Sequence, residues 1–110
     1  MGKETLGEFE QQVLLAVLRL GDDAYSASIV LELEERTGRE VAPAAVYIAL
    51  RRLEDNGVTT SAMRPPTQEP AGRPRRYFRV EPAGVELLRE SRRQLVRLWD
   101  GLDALLEEGV

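Results

Sequence analysis

The chain has 110 residues, 43% of them hydrophobic and 31% charged, with a formal net charge of −4 and neither cysteine nor histidine. One modest core is the expectation at this length. Disulfides, thiolate metal sites, thiol nucleophiles and imidazole acid–base chemistry are excluded by composition.

The first stretch, MGKETLGEFE, is polar and acidic, unlike a signal peptide. The longest apolar run, Val13 to Leu18, is far too short to span a bilayer. These features, with the absence of cysteine, give a cytoplasmic protein without membrane association as the expectation. Residues 7–20 read as a first helix in which Phe9, Val13, Val17 and Leu20 make one stripe. Leu14, Leu15 and Leu18 widen that stripe beyond the usual arc, so the helix is either central or packs on a partner chain as well.

Gly21-Asp22-Asp23 is a turn. A second helix is predicted over 24–37, with Tyr25, Ile29, Val30 and Leu33 inward, Glu32, Glu34, Glu35 and Arg36 outward, and Gly38 at its end. The third helix follows in VAPAAVYIALRRLEDNG, residues 41–57. Pro43 suits its first turn and Asn56-Gly57 its stop. Val46, Ala49, Leu50 and Leu53 form its core stripe. Its opposite face carries Pro43, Ala44, Tyr47, Ile48, Arg51 and Arg52, where a solvated helix would carry Glu and Lys. Small, apolar and aromatic residues beside arginine suit a surface that something else covers. Ala42 stands where Ser or Thr would normally cap.

Two short β-like stretches, 58–63 and 75–80, flank RPPTQEPAGRP, which holds four of the six prolines. This is a hairpin with a stiff tip. In its second strand Tyr77 and Phe78 point to opposite faces. Arg73, Arg75 and Arg76 make the hairpin a cationic finger suited to phosphates or a minor groove, although an edge strand guarded by charge also carries some arginine. Residues 43–80 hold seven arginines against three acids, a net of +4, which leaves −8 for the remainder. Arginine outnumbers lysine 14 to 1, and arginine is the better bidentate ligand for phosphate and guanine.

Pro82 opens a long helix predicted over 82–107. Leu88, Leu95 and Leu102 recur every seven residues, as do Ser91, Leu98 and Leu105 three positions further on. That is a heptad seam, with Trp99 beside it and Gly101 as a weak point. The paired acids of the chain are sequence neighbours that diverge on a helix, and no metal spacing or phosphate loop occurs, so neither a cofactor nor catalysis is expected.

The predicted class is mainly α with a small β-hairpin: a winged helix-turn-helix DNA-binding domain over 1–80 and a dimerisation helix over 81–110. The alternative is a winged helix that binds other proteins, or senses a ligand, without touching DNA. The chain resembles the PadR family of transcriptional regulators in its short form, with a single C-terminal helix. LGEFEQQVLLAVLRLGDDAYSASI, AVYIALRRLEDNGVTTS, GRPRRYFRVEPAG and RESRRQLVRLWDGL carry the likeness. Ser26 and Glu81 depart from the glycine and threonine usual at those positions, and Ser26 could itself cap the second helix. The resemblance implies a homodimeric repressor of a pseudo-palindromic operator, with Tyr47 as the tyrosine of the reading helix and Arg73, Arg75 and Arg76 in the basic wing. It also implies contacts between the first and last helices of two subunits; with the heptad seam read as a dimer seam, the expected interface is Phe9, Leu14, Leu18, Leu88, Leu95, Leu98, Trp99, Leu102 and Leu105. A small aromatic inducer near Trp99 belongs to the same implication.

Overall fold

The computed structural model describes residues 6–65 and 72–107. Its elements are α1 (Glu8–Leu20), a 3-10 turn (Gly21–Asp23), α2 (Ser26–Thr37), α3 (Pro43–Asp55), β1 (Thr59–Arg64), β2 (Arg75–Val80), α4 (Pro82–Trp99) and α5 (Asp103–Glu107). The two strands pair antiparallel, from Thr59 opposite Val80 to Arg64 opposite Arg75. Part of the proline-rich tip, 66–71, lies outside the described residues.

The core lies where α1, α2 and α3 meet. Val13, Leu14, Val17, Ile29, Leu33, Val46, Leu50 and Leu53 are all buried there, each large aliphatic contributing about 1.5–3 kcal/mol through removal from water. The stripe predicted for the third helix is therefore its buried face. Leu14 corrects the sequence reading: it was expected at a subunit interface, but it is 0% exposed inside the protomer's own core. Leu15 and Leu18, one residue and four residues on, are the outward leucines of α1. Phe9 is half-buried against the same core, and so is Leu88 of α4. The first turns of α4 thus pack on the domain that precedes them.

The second helix starts two residues later than its periodicity suggested. Ala24 is fully buried and extended, and its carbonyl accepts from the Phe78 N–H at 2.8 Å. It therefore edges the hairpin instead of opening the helix. Ser28, not Ser26, satisfies the helix entry: its hydroxyl accepts from the Tyr25 N–H at 2.9 Å and donates to the Asp23 carbonyl at 2.6 Å. Of the residues expected outward, Glu32 and Glu34 are half-buried. Glu34 accepts from the Val41 N–H at 3.0 Å, tying α2 to the link before α3.

The last helix is shorter than the heptads suggested. It ends at Trp99, and Asp100 turns extended with ψ 126°. Gly101 takes a φ of 86°, a left-handed value that only glycine adopts without strain. α5 resumes at Asp103, so Leu102 and Leu105 do not continue a single straight seam.

Where α4 leaves the hairpin, the Glu81 N–H donates to the Val58 carbonyl at 2.8 Å. Gly84 is buried one turn later, and a β-carbon there would stand 2.8 Å from the Val58 carbonyl oxygen and from the Val58 and Val80 Cγ1 atoms. On an exposed helix Gly→Ala stabilises by roughly 1 kcal/mol. Here the sign inverts: Gly84→Ala is expected to cost about 1–3 kcal/mol by overpacking, as a lowered urea midpoint at unchanged m-value.

Candidate nucleic-acid interface

The site is built on α3. Pro43 begins the helix and needs no N–H partner there. The Ala42 carbonyl accepts from Ala45 at 3.0 Å and Val46 at 3.3 Å, but no side chain caps the entry. At the exit, Gly57 takes a φ of 74° and the Val58 N–H returns to the Leu53 carbonyl at 2.9 Å. This is the left-handed stop read from Asn56-Gly57, and it aims the chain straight into β1.

With Val46, Ala49, Leu50 and Leu53 buried, the helical period turns the next face to solvent. Tyr47 is 56% exposed and Ile48 57%. Pro43, Ala44, Arg51 and Arg52 are exposed beside them. Arg51 donates to the Tyr47 hydroxyl at 3.3 Å, and its guanidinium stands 5.9 Å from that ring. The hydrogen bond it donates to Tyr47, then electrostatic attraction to Tyr47, Asp55 and Glu54, hold the Arg51 pKa above its ordinary value. Arg52 turns the other way, toward Glu10 of α1 at 3.6 Å. It sits at the edge of the face and also helps lock α3 to α1.

The hairpin stands beside this face. A cleft of about 330 Å³ separates them, lined by Tyr47, Arg51, Glu54, Ser61, Arg76 and Phe78 among others. Within the hairpin Arg76 donates to the Ser61 hydroxyl at 3.0 Å, and across the cleft Ser61 donates to the Glu54 carboxylate at 2.8 Å. Helix and wing are thus tied by a short polar relay. Sequence reasoning missed Glu54 and Ser61 here. The alternation of β1 could have placed Ser61 facing α3, but only once the strand register was known.

The three wing arginines do not share one environment. Arg73 and Arg76 are exposed, while Arg75 is half-buried, its guanidinium 4.2 Å from the Tyr25 ring. Arg64, which sequence reasoning had not singled out, lies 3.9 Å from the Tyr77 ring and donates to the Asp22 carbonyl at 2.9 Å. Tyr77 is the core member of the Tyr77–Phe78 pair at 4% exposure, and Phe78 packs partly buried against the core from the other face.

Large apolar side chains are also exposed on α1, at the end of α4 and just beyond it. Leu15, Leu18, Leu95, Val96, Leu98, Trp99, Leu102 and Leu105 are all exposed. The opposite side of α4 is solvated: Arg89 pairs with Glu86 at 2.9 Å and Arg93 with Glu90 at 2.8 Å. Hydrogen bonds from Arg93 and then Gln94 hold the Glu90 carboxyl below the usual carboxylate range. Among the described residues no cluster of acids could hold a metal ion, and no helix is long and apolar enough to cross a membrane.

The sequence profile of the transcriptional regulator PadR-like family matches residues 14–90, which include α3 and the whole hairpin. The chain belongs to the PadR-like family of transcriptional regulators. It is 38% identical over 77 residues to the transcriptional regulator Rv3488 of Mycobacterium tuberculosis, a match covering 70% of this chain and 67% of that protein. Among solved structures it is similar to a PadR family regulator from Eggerthella lenta, at 30% identity and a TM-score of 0.66, over 91% of this chain and 87% of that one. A PadR-like regulator from Bacillus cereus shares the fold at 17% identity and a TM-score of 0.73, over 89% and 90% of the two chains. The PadR-like family and these relatives are transcriptional regulators.

The entry to α3 offers a test. Ala42 has extended geometry suited to a cap, at φ −73° and ψ 126°. Ala42→Ser should therefore stabilise the fold by about 0.5–2 kcal/mol, measured as a raised midpoint in thermal or urea unfolding.

Proposed function

We propose that this PadR-family chain is a homodimeric repressor that binds a pseudo-palindromic operator in the cytoplasm. The observation that carries the reading is the outward face of α3 beside the wing. Tyr47, Ile48 and Arg51 are exposed on a helix whose other side is locked in the core, and Arg76 stands across a single cleft from them. A rigidly held helix with an apolar and cationic outer face suits the major groove. Ala44 and Ile48 meet thymine methyls or sugars, and Tyr47 and Arg51 reach phosphates or base edges. Pro43 and Arg52 flank the contact, and Arg73 and Arg76 follow the backbone from the wing. The +4 of residues 43–80 supplies the attraction that an overall −4 would oppose.

The exposed leucines of α1 and α4 support pairing of two copies, with residues 1–80 reading DNA and 81–110 pairing. Leu15, Leu18, Leu95, Leu98, Trp99 and Leu102 are more large apolar side chains than a solvated monomer normally leaves bare. A two-fold there sets two reading helices about one helical turn of DNA apart, roughly 34 Å. Trp99, 44% exposed at the end of α4, is the aromatic on which a planar inducer would stack between the two copies.

Tyr47→Ala combined with Arg51→Ala should abolish retardation of operator DNA selected from random sequence, with the sedimentation coefficient unchanged. Undiminished binding would remove α3 as the reader. Leu95→Glu with Leu98→Glu should give a monomer by analytical ultracentrifugation and weaken operator binding at least tenfold. A persistent dimer would place the interface elsewhere.

A further inference from the structure

Two arginines of the basic hairpin do something other than carry charge to DNA. Tyr25 and Tyr77 meet edge to face, with ring centroids 5.5 Å apart and planes at 66°. Arg75 lies over the first ring at 4.2 Å and Arg64 over the second at 3.9 Å. The four side chains form a continuous stack, arginine–tyrosine–tyrosine–arginine. Arg64 and Arg75 are directly opposite in the strand register, so the stack grips both strands at the same level. Tyr77 is buried, and its hydroxyl has no hydrogen-bond partner among the described residues. Ring faces, not a polar tether, hold it. Arg64 adds a hydrogen bond to the Asp22 carbonyl, and the Phe78 N–H donates to Ala24. Apart from Arg64 on Tyr77, which joins the two strands, these contacts tie the hairpin to the segment 22–25 between α1 and α2.

We propose that Arg64 and Arg75 are positioning residues. Stacked on Tyr77 and Tyr25, they brace the wing against the start of α2 and leave phosphate contact to Arg73 and Arg76. A guanidinium over an aromatic face keeps its charge while spending its planar surface on the ring. In this arrangement it fixes the pitch of the wing relative to α3, and pitch decides whether the exposed arginines reach the backbone. The inference rests on the DNA-binding reading and assigns Arg75 a different part in it.

Hydrogen exchange and the salt dependence of binding to a random duplex test the proposal on the full chain. Arg75→Ala should speed exchange of the Phe78 amide at least fivefold while leaving the Val46 amide unchanged. It should weaken duplex binding roughly three- to tenfold and lower the salt slope, as Arg73 and Arg76 lose their reach to the backbone. Arg75→Met, which stacks on Tyr25 without a charge, should restore both most of the way, and Tyr25→Leu should reproduce the loss. A phosphate ligand would behave differently: Arg75→Ala and Arg75→Met would lower the slope alike, by about one per subunit, and Met would not rescue. That result, or an unchanged Phe78 amide, overturns the proposal. The exchange arm does not depend on DNA. A wild-type chain that binds no duplex therefore sinks the DNA reading and the assignment of phosphate contact, while the bracing itself still stands or falls on the Phe78 amide.

Discussion

The rotation of α3 about its own axis is the constraint on which the rest depends. Val46, Ala49, Leu50 and Leu53 fill the junction of α1 and α2, and each is at most 6% exposed. A helix advances 100° per residue, so burying that set leaves no freedom for Tyr47 and Arg51. They must face out, and they must face out together. The exposure of Ile48 follows from the same geometry and requires no separate cause. The face that reads outward is the complement of the face that packs inward.

Around that helix the chain uses local bonds to remove slack. Glu34 holds the amide of Val41 before α3 begins, Arg52 reaches Glu10, and the amides of Asn56, Gly57 and Val58 return to α3 carbonyls. The hairpin is then tied on both sides, by Ser61 to Glu54 and by the tyrosine stack to the start of α2. Most of these contacts are individually modest, at about 0.5–1.5 kcal/mol for a hydrogen bond. Their number matters because they restrain the same few degrees of freedom.

Much of this was legible in the sequence, and the gaps have physical reasons. The core stripe of α3, its Pro43 entry and its Gly57 exit were readable because periodicity, proline and glycine each carry a local signal. Leu14 was misplaced because an over-wide apolar face does not say which of its edges is the outer one; only its place in the buried cluster that also holds Ile29 and Leu50 decides. The break after Trp99 was half visible: Gly101 was a weak point in the heptads, but leucine periodicity continued across it. The start of α2 slipped because Ala24 is as good a helix former as the residues after it, and only its pairing with Phe78 makes it extended. The partners of Arg64 and Arg75 lie about 40–50 residues away in the chain for the turn contacts, at Asp22 and Tyr25, and local pattern has no access to such pairings.

The seating of Gly84 has a mechanical corollary. α4 is gripped at its first turn, where the absent side chain lets it sit against Val58 and Val80. From there its 18 residues run for about 27 Å to Trp99. A beam clamped at one end converts small angles into large displacements: about 10° at the root becomes roughly 5 Å at the tip over that length. The body that carries α3 and the wing can therefore stay undeformed while the tip of α4 moves, and the clamp at Gly84 sets the leverage.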